Sequence, residues 1–266
     1  MKNIIVTPYP NYKVADNAMS NDVIPNSRKA PKILNTKQDD NLMVAITTDT
    51  IDRHRFNFAL PININGEAVM TLIPEPTKLF LDRAIMAINN TIEIKYKLIT
   101  TESRKTKGTN VRMVNSITDE TNKMGNLIFQ EMTNAVILMV IACESFINKI
   151  IPDDAKIEKR VKKKIKQIGK KEIEEGCGFR EKLRNVIPQT KEIKFSEEQE
   201  LQITKILDLY NIRKSLVHIK THRKNKFEAK FLEAYQRIID LDYEDYATQI
   251  IDFMNSIETN YIVYSE

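Results

Sequence analysis

The chain has no tryptophan, two cysteines, three histidines and only six glycines in 266 residues. Each shortage removes a class of protein. Cys143 lies inside an apolar segment and Cys177 between two glycines, so there is neither a disulfide scaffold nor metal-ligand spacing, and a reduced, cytosolic compartment is the expectation. Gly66, Gly108, Gly125 and Gly169 are isolated, which leaves no phosphate-cradling glycine loop, and no cofactor is expected. The longest unbroken apolar run, Ala135 to Cys143, is about half of what a bilayer crossing needs. The stretch Met1 to Pro8 has no sustained apolar core and no cleavage-site pattern, so it does not read as a secretory signal, and no membrane partner is expected.

What is present suits a helix-rich globular protein: 42% hydrophobic and 29% charged residues. The net charge of +5 permits an anionic partner without requiring one.

The pattern divides the chain into three regions. Residues 1–40, with Pro8, Pro10, Pro25 and Pro31, read as an extended or flexible arm. Residues 41–115 read as a small α+β domain. Leu42 to Ile46 suggests a strand, and His54 to Ile64 and Ala68 to Ile73 flank Asn65-Gly66, the residue pair a type I′ hairpin turn favours. Pro61 puts its strand at an edge or a break. A short helix over Leu79 to Ile88 comes next, then a strand over Thr91 to Leu98, where Ile92, Ile94, Tyr96 and Leu98 alternate with polar residues. The polar stretch Thr100 to Asn110 reads as the boundary loop.

Residues 116–266 read as an all-α bundle, which makes the fold class α+β overall. A long helix over Thr118 to Ile151 is stopped by Pro152. A second helix is expected over Lys156 to Lys171, where Ile157, Val161, Ile165 and Ile168 form a stripe among lysines, and a short one over Phe179 to Val186 stops before Pro188. Ser196-Glu197-Glu198-Gln199 is a capping box that starts a helix through Val217. Two more helices are expected at about Glu228 to Ile239 and Glu244 to Tyr261.

Candidate chemistry gathers at Asn211 to His218. The Arg213 guanidinium stays charged at any working pH, whereas the His218 imidazole titrates near ~6.5. Five helical residues turn through about 140°, so Arg213 must reach around the helix to share a site with His218. In the apolar helix, Glu144 with Asn148 one turn on is costly unless paired, and Arg213 is the expected partner; the other reading is that the helix surfaces there and Glu144 is wet. Lys159, Arg160, Lys163, Lys164 and Lys166 either track a phosphate backbone or form a solvated face. His218 and His222 are four apart but have no carboxylate near them in sequence, so no metal is assigned.

Glu-x-x-x-Asn late in an apolar helix, followed by basic and amphipathic helices and then Ile-Arg-Lys-Ser-Leu-Val-His, resembles the HEPN superfamily over roughly residues 118–266. The resemblance implies a helical bundle, commonly a homodimer, and in active members a metal-independent endoribonuclease of toxin or antiviral-defence type. It further implies that Arg213 and His218 of two protomers line one cleft, with Glu144 and Asn148 orienting them, and that a neutralising or regulatory protein partner accompanies the toxin role. The residue after the motif arginine, commonly Asn, Asp or His in that family, is Lys214 here, a cation without acceptor capacity that would also meet RNA. The alternative is a catalytically silent HEPN-like module that dimerises or binds a ligand or partner, with Arg213 paired internally to Glu144.

Overall fold

The computed structural model describes residues 4–6, 43–50, 53–65, 67–72, 74–101, 103–115, 118–161, 164–217 and 227–264. They fall into two compact units, Thr7–Glu75 and Met1–Val6 with Pro76–Glu266. The division therefore lies between Glu75 and Pro76 rather than in the stretch 100–115. Apart from β1 (Ile4–Val6), the expected arm lies outside the described residues.

The smaller unit is an antiparallel sheet of β2 (Met43–Thr50), β3 (Arg53–Ile64) and β4 (Glu67–Leu72), in that order. Asn65 has φ 54°, the left-handed conformation that the expected I′ turn needs. Pairing of β3 with β2 ends at Ala59, while pairing with β4 runs from Ala59 to Ile64. Pro61, opposite Met70, thus lies where β3 is paired on one side among the described residues, which is where a residue without an N–H is tolerated.

The larger unit is mostly helical. Pro76 opens α1 (Pro76–Thr101) at a first-turn position that needs no N–H. This helix corrects the expected strand over 91–98. Leu81, Ala84, Ile88 and Thr91 are buried and Ile94 and Leu98 pack on the core, a helical spacing, whereas Ile92 and Tyr96 are 61% and 70% exposed. Alternation over eight residues was a by-product of a stripe with a 3.6-residue period, and the preceding turns carry that stripe forward.

A hairpin of β5 (Ser103–Lys105) and β6 (Arg112–Val114) turns the chain into α2 (Asp119–Ile150). At the start of α2, Thr121 N–H donates to Thr118 Oγ1 at 3.2 Å and Thr118 N–H donates to Thr121 Oγ1 at 2.9 Å. The two long helices run antiparallel: Lys97 meets Glu120 at 3.6 Å, and Asn90 donates to Glu131 at 3.4 Å. By length and composition α2 could cross a bilayer, yet thirteen of its residues are buried within the fold.

The second correction concerns the lysine-rich segment. It forms a hairpin of β7 (Lys156–Val161) and β8 (Lys164–Gly169), with Ile157 opposite Ile168 and both buried. A helix would have stacked cations at i,i+4 (Lys159 with Lys163, Arg160 with Lys164), which repel, while the extended chain spaces residues at about 3.3 Å instead of 1.5 Å. With this hairpin and the β1–β9 pair below, the region is not all-α. The fold is a mixed α+β one in which helices dominate.

After β8 come α3 (Lys170–Gly176), α4 (Phe179–Glu181), a π-turn over Lys182–Val186 and α5 (Ile187–Lys191). Pro188 does not end the helical run as expected. Ile187 N–H donates to Lys182 O, five residues back, and that register change lets Pro188 enter α5 in its first turn.

The capping box at Ser196 forms as read: Gln199 N–H donates to Ser196 Oγ at 3.2 Å, and Ser196 N–H donates to Gln199 Oε1 at 2.9 Å. It starts α6 (Glu197–Val217), which is succeeded by α7 (Phe227–Ile239) and α8 (Tyr243–Ile257), all three against α2. β9 (Ile262–Tyr264) pairs antiparallel with β1. Beside it, buried Tyr261 packs edge-on to Phe146 at 4.8 Å and donates to Thr77 Oγ1 at 3.1 Å, tying α1, α2 and the end of the chain together.

Candidate functional site

Arg213 sits in the penultimate turn of α6, between buried Ile212 and exposed Lys214, with Leu216 packed on the core one turn on. Its side chain is half-buried, and its Nε is shielded from solvent without a hydrogen-bond partner among the described residues. A structural arginine withdrawn to this degree is ordinarily satisfied by a carboxylate or a carbonyl.

The expected partner does not supply one. Glu144 is half-buried on α2 and forms no ion pair with Arg213, so the pairing inferred from the sequence is corrected. Asn148 is also committed elsewhere. Its Oδ1 accepts from Lys182 Nζ at 2.9 Å, and the same ammonium donates to Glu174 O at 2.8 Å. Asn148 therefore holds a buried lysine rather than orienting Arg213.

Lys182 is the residue that sequence reasoning missed. Its signal was present: Phe179, Leu183 and Val186 mark the apolar face of one helix, and Lys182 falls on that face. Among the described residues it has two neutral oxygen partners and no carboxylate.

His218 lies outside the described residues, as do His222, Lys162 and Lys163. Of the other cations expected to meet RNA, Lys214 and Arg160 are exposed, and Lys164 stands in β8 opposite Val161. Lys159 is engaged. It donates to Gly176 O and Glu181 Oε2, both at 2.9 Å, and lies 3.4 Å from Cys177 Sγ. Glu181 holds its ammonium protonated above the usual lysine range. Lys166 pairs with Glu172 at 2.7 Å and keeps that carboxyl below its ordinary range. The hairpin's two central cations are thus each paired with an acid of the chain.

Cys143 is fully enclosed, and burial pushes its thiol up, so no thiolate forms there. Chemically, the arrangement offers an arginine with no ion pair among the described residues, an exposed lysine next to it in sequence, and a chain that continues from Val217 to His218.

Compared with protein-family models, with curated proteins and with solved structures, the chain matches none.

Proposed function

We propose that the chain is a metal-independent endoribonuclease of the HEPN type, working in the cytoplasm as a homodimer with a toxin or defence role. The observation that carries the proposal is Arg213: a half-buried arginine that forms no ion pair among the described residues, Glu144 included. A guanidinium left without a carboxylate can take a phosphate oxygen as its acceptor, and a charge-assisted bond to it is roughly twice as strong as a neutral one. The silent-module reading paired Arg213 with Glu144 inside the fold, and no ion pair forms between these two residues.

In this reading Arg213 binds the scissile phosphate and Lys214 adds charge along the strand. His218 of one protomer removes the proton of the 2′-hydroxyl as that oxygen attacks phosphorus. His218 of the partner subunit gives a proton to the leaving 5′ oxygen, so the cut leaves a 2′,3′-cyclic phosphate and a 5′-hydroxyl. A single copy provides one His218, which is why the reaction calls for two copies. Glu144, half-buried and without an ion-pair partner among the described residues, is free to orient the imidazole.

Incubating the purified protein with RNA in EDTA tests this. The wild type is expected to release cyclic-phosphate ends, and His218→Ala to slow the cut by about 10²-fold or more. Arg213→Met is expected to weaken cleavage while leaving folding intact, since it removes an unsatisfied atom. No cleavage by the wild type, or equal cleavage by His218→Ala, ends the proposal in favour of a binding module.

A further inference from the structure

The β5–β6 hairpin takes no part in that reading, although its charges are all of one sign. Between Ser103 and Val114 stand Arg104, Lys105, Lys107 and Arg112, with no carboxylate. Arg112 is committed to the fold: its Nη1 donates to Ile99 O at 3.1 Å and to Ser103 O at 3.3 Å, closing the end of α1. Arg104, Lys105 and Lys107 are exposed and meet no carboxylate among the described residues. The nearest acid in sequence on the α2 side that forms an ion pair, Glu120, pairs with Lys97 instead.

Beside these cations the hairpin presents apolar side chains to water. Val111 and Met113 are 55% and 57% exposed. Arg104 stands opposite Met113, and Thr106 N–H donates to Val111 O at 2.9 Å, so Arg104, Thr106, Val111 and Met113 share one face of the ladder. Gly108, at φ 76°, makes the tip, and Lys105 to Asn110 line an open polar concavity around it. The turns of α1 that lead into the hairpin expose Ile92, Tyr96 and Ile99 at i, i+4 and i+7.

We propose that this hairpin docks the protein on an anionic lipid surface, with Val111 and Met113 entering the boundary between headgroups and acyl chains and Arg104, Lys105 and Lys107 meeting the charged headgroups. Charge complementarity selects the occupant. Exposed cations that meet no carboxylate among the described residues call for an anionic surface, and exposed aliphatic side chains gain by leaving water for hydrocarbon. A nucleic acid would use the same charges, but residues 103–114 carry no aromatic ring on which a base could stack. This departs from the expectation of no membrane partner, which rested on the short apolar runs and the lack of a signal pattern. It is independent of the nuclease proposal, because His218→Ala leaves it untouched.

The test uses the full chain with vesicles of phosphatidylcholine, alone or mixed with phosphatidylserine. Co-sedimentation is expected only with the mixed vesicles and weakens as salt rises. Replacing Arg104, Lys105 and Lys107 together by Gln lowers affinity about a hundredfold, roughly fivefold per cation. Val111→Ser with Met113→Ser lowers it about tenfold or more while the salt dependence stays. Replacing the exposed Lys156 and Lys171 by Gln, a control for overall charge, leaves binding unchanged. Equal binding to phosphatidylcholine alone, no binding to either vesicle, or an equal loss in the control overturns the proposal. So does a triple variant that loses single-stranded RNA affinity but keeps vesicle affinity, which would assign the hairpin to nucleic acid.

Discussion

Two cation-rich hairpins of this chain have opposite fates. In β7–β8 the buried pair Ile157–Ile168 anchors the ladder, and Glu158 N–H donates to the Gln189 side chain at 3.1 Å. The cross-strand neighbours Lys159 and Lys166, which would repel across the ladder, are each matched by an acid, Glu181 and Glu172. In β5–β6 one cation of four folds back on α1, and the apolar residues face water. The difference lies in the segment on the C-terminal side of each hairpin. After β8 the chain goes straight into α3 and α4, whose carboxylates lie within reach; after β6 the first ion-paired acid belongs to the start of α2 and is taken by Lys97. A run of lysines is therefore structural or available according to the acids its fold brings alongside. The total of positive charge does not decide it.

The largest expected contrast is in packing. Ile168→Ala, which hollows a buried cross-strand pair, lowers the unfolding free energy by about 2–4 kcal/mol in urea titration, whereas Met113→Ala stays within about 0.5 kcal/mol. Similar losses at the two sites would break the comparison.

Next in size is Lys159→Met, which removes a partly buried ammonium from Glu181 and the Gly176 carbonyl and costs about 1 kcal/mol at neutral pH. The same change at Lys105 costs nothing measurable. The contribution of Lys159 also has a pH signature. Glu181 raises its folded value above the ordinary 10.5, so the stabilisation is whole below that pH and is lost as pH climbs through the raised value. Chemical denaturation at alkaline pH should find the wild type losing its advantage over Lys159→Met there and nowhere lower.

The smallest effect sharpens the comparison at its exposed end. Lys166→Gln leaves stability unaltered, since both partners of that pair are solvated, but NMR titration should show the Glu172 carboxyl returning upward towards its ordinary range. A Glu172 that stays low without Lys166 would put the cause in the Gly169 N–H, which donates to the same carboxylate at 3.3 Å.

Where the chain was legible, the signal was local and redundant. Ser196 and Gln199 announce a helix start because two side chains and two backbone N–H groups satisfy one another within four residues. Asn65-Gly66 announces a turn because few residues accept positive φ. Thr91 to Leu98 and Lys156 to Lys171 misled because a handful of apolar positions fits both periods, and the choice rests on which neighbours are present to cover them. For Thr91 to Leu98 the cover includes α2, which meets α1 at Asn90–Glu131 and Lys97–Glu120; for Ile157 and Ile168 it is each other and the core.

The candidate site shows the same division. Arg213, Glu144 and Asn148 were found as polar residues in apolar surroundings, a property of position in a sequence. Their partners were not readable, because a partnership depends on distances between helices that are far apart along the chain. Asn148 meets Lys182 across 34 residues, and only the packed bundle brings that ammonium to it.

The order of residues was enough to settle where most helices start, where the first hairpin turns and which charges lie in apolar company, since capping, turn conformation and periodicity act over a few neighbouring residues. Whether a given cation ends up paired, buried or open to a ligand was settled by packing. Electrostatic and apolar contacts act through space, and the distances that set their strength exist only once the chain is folded.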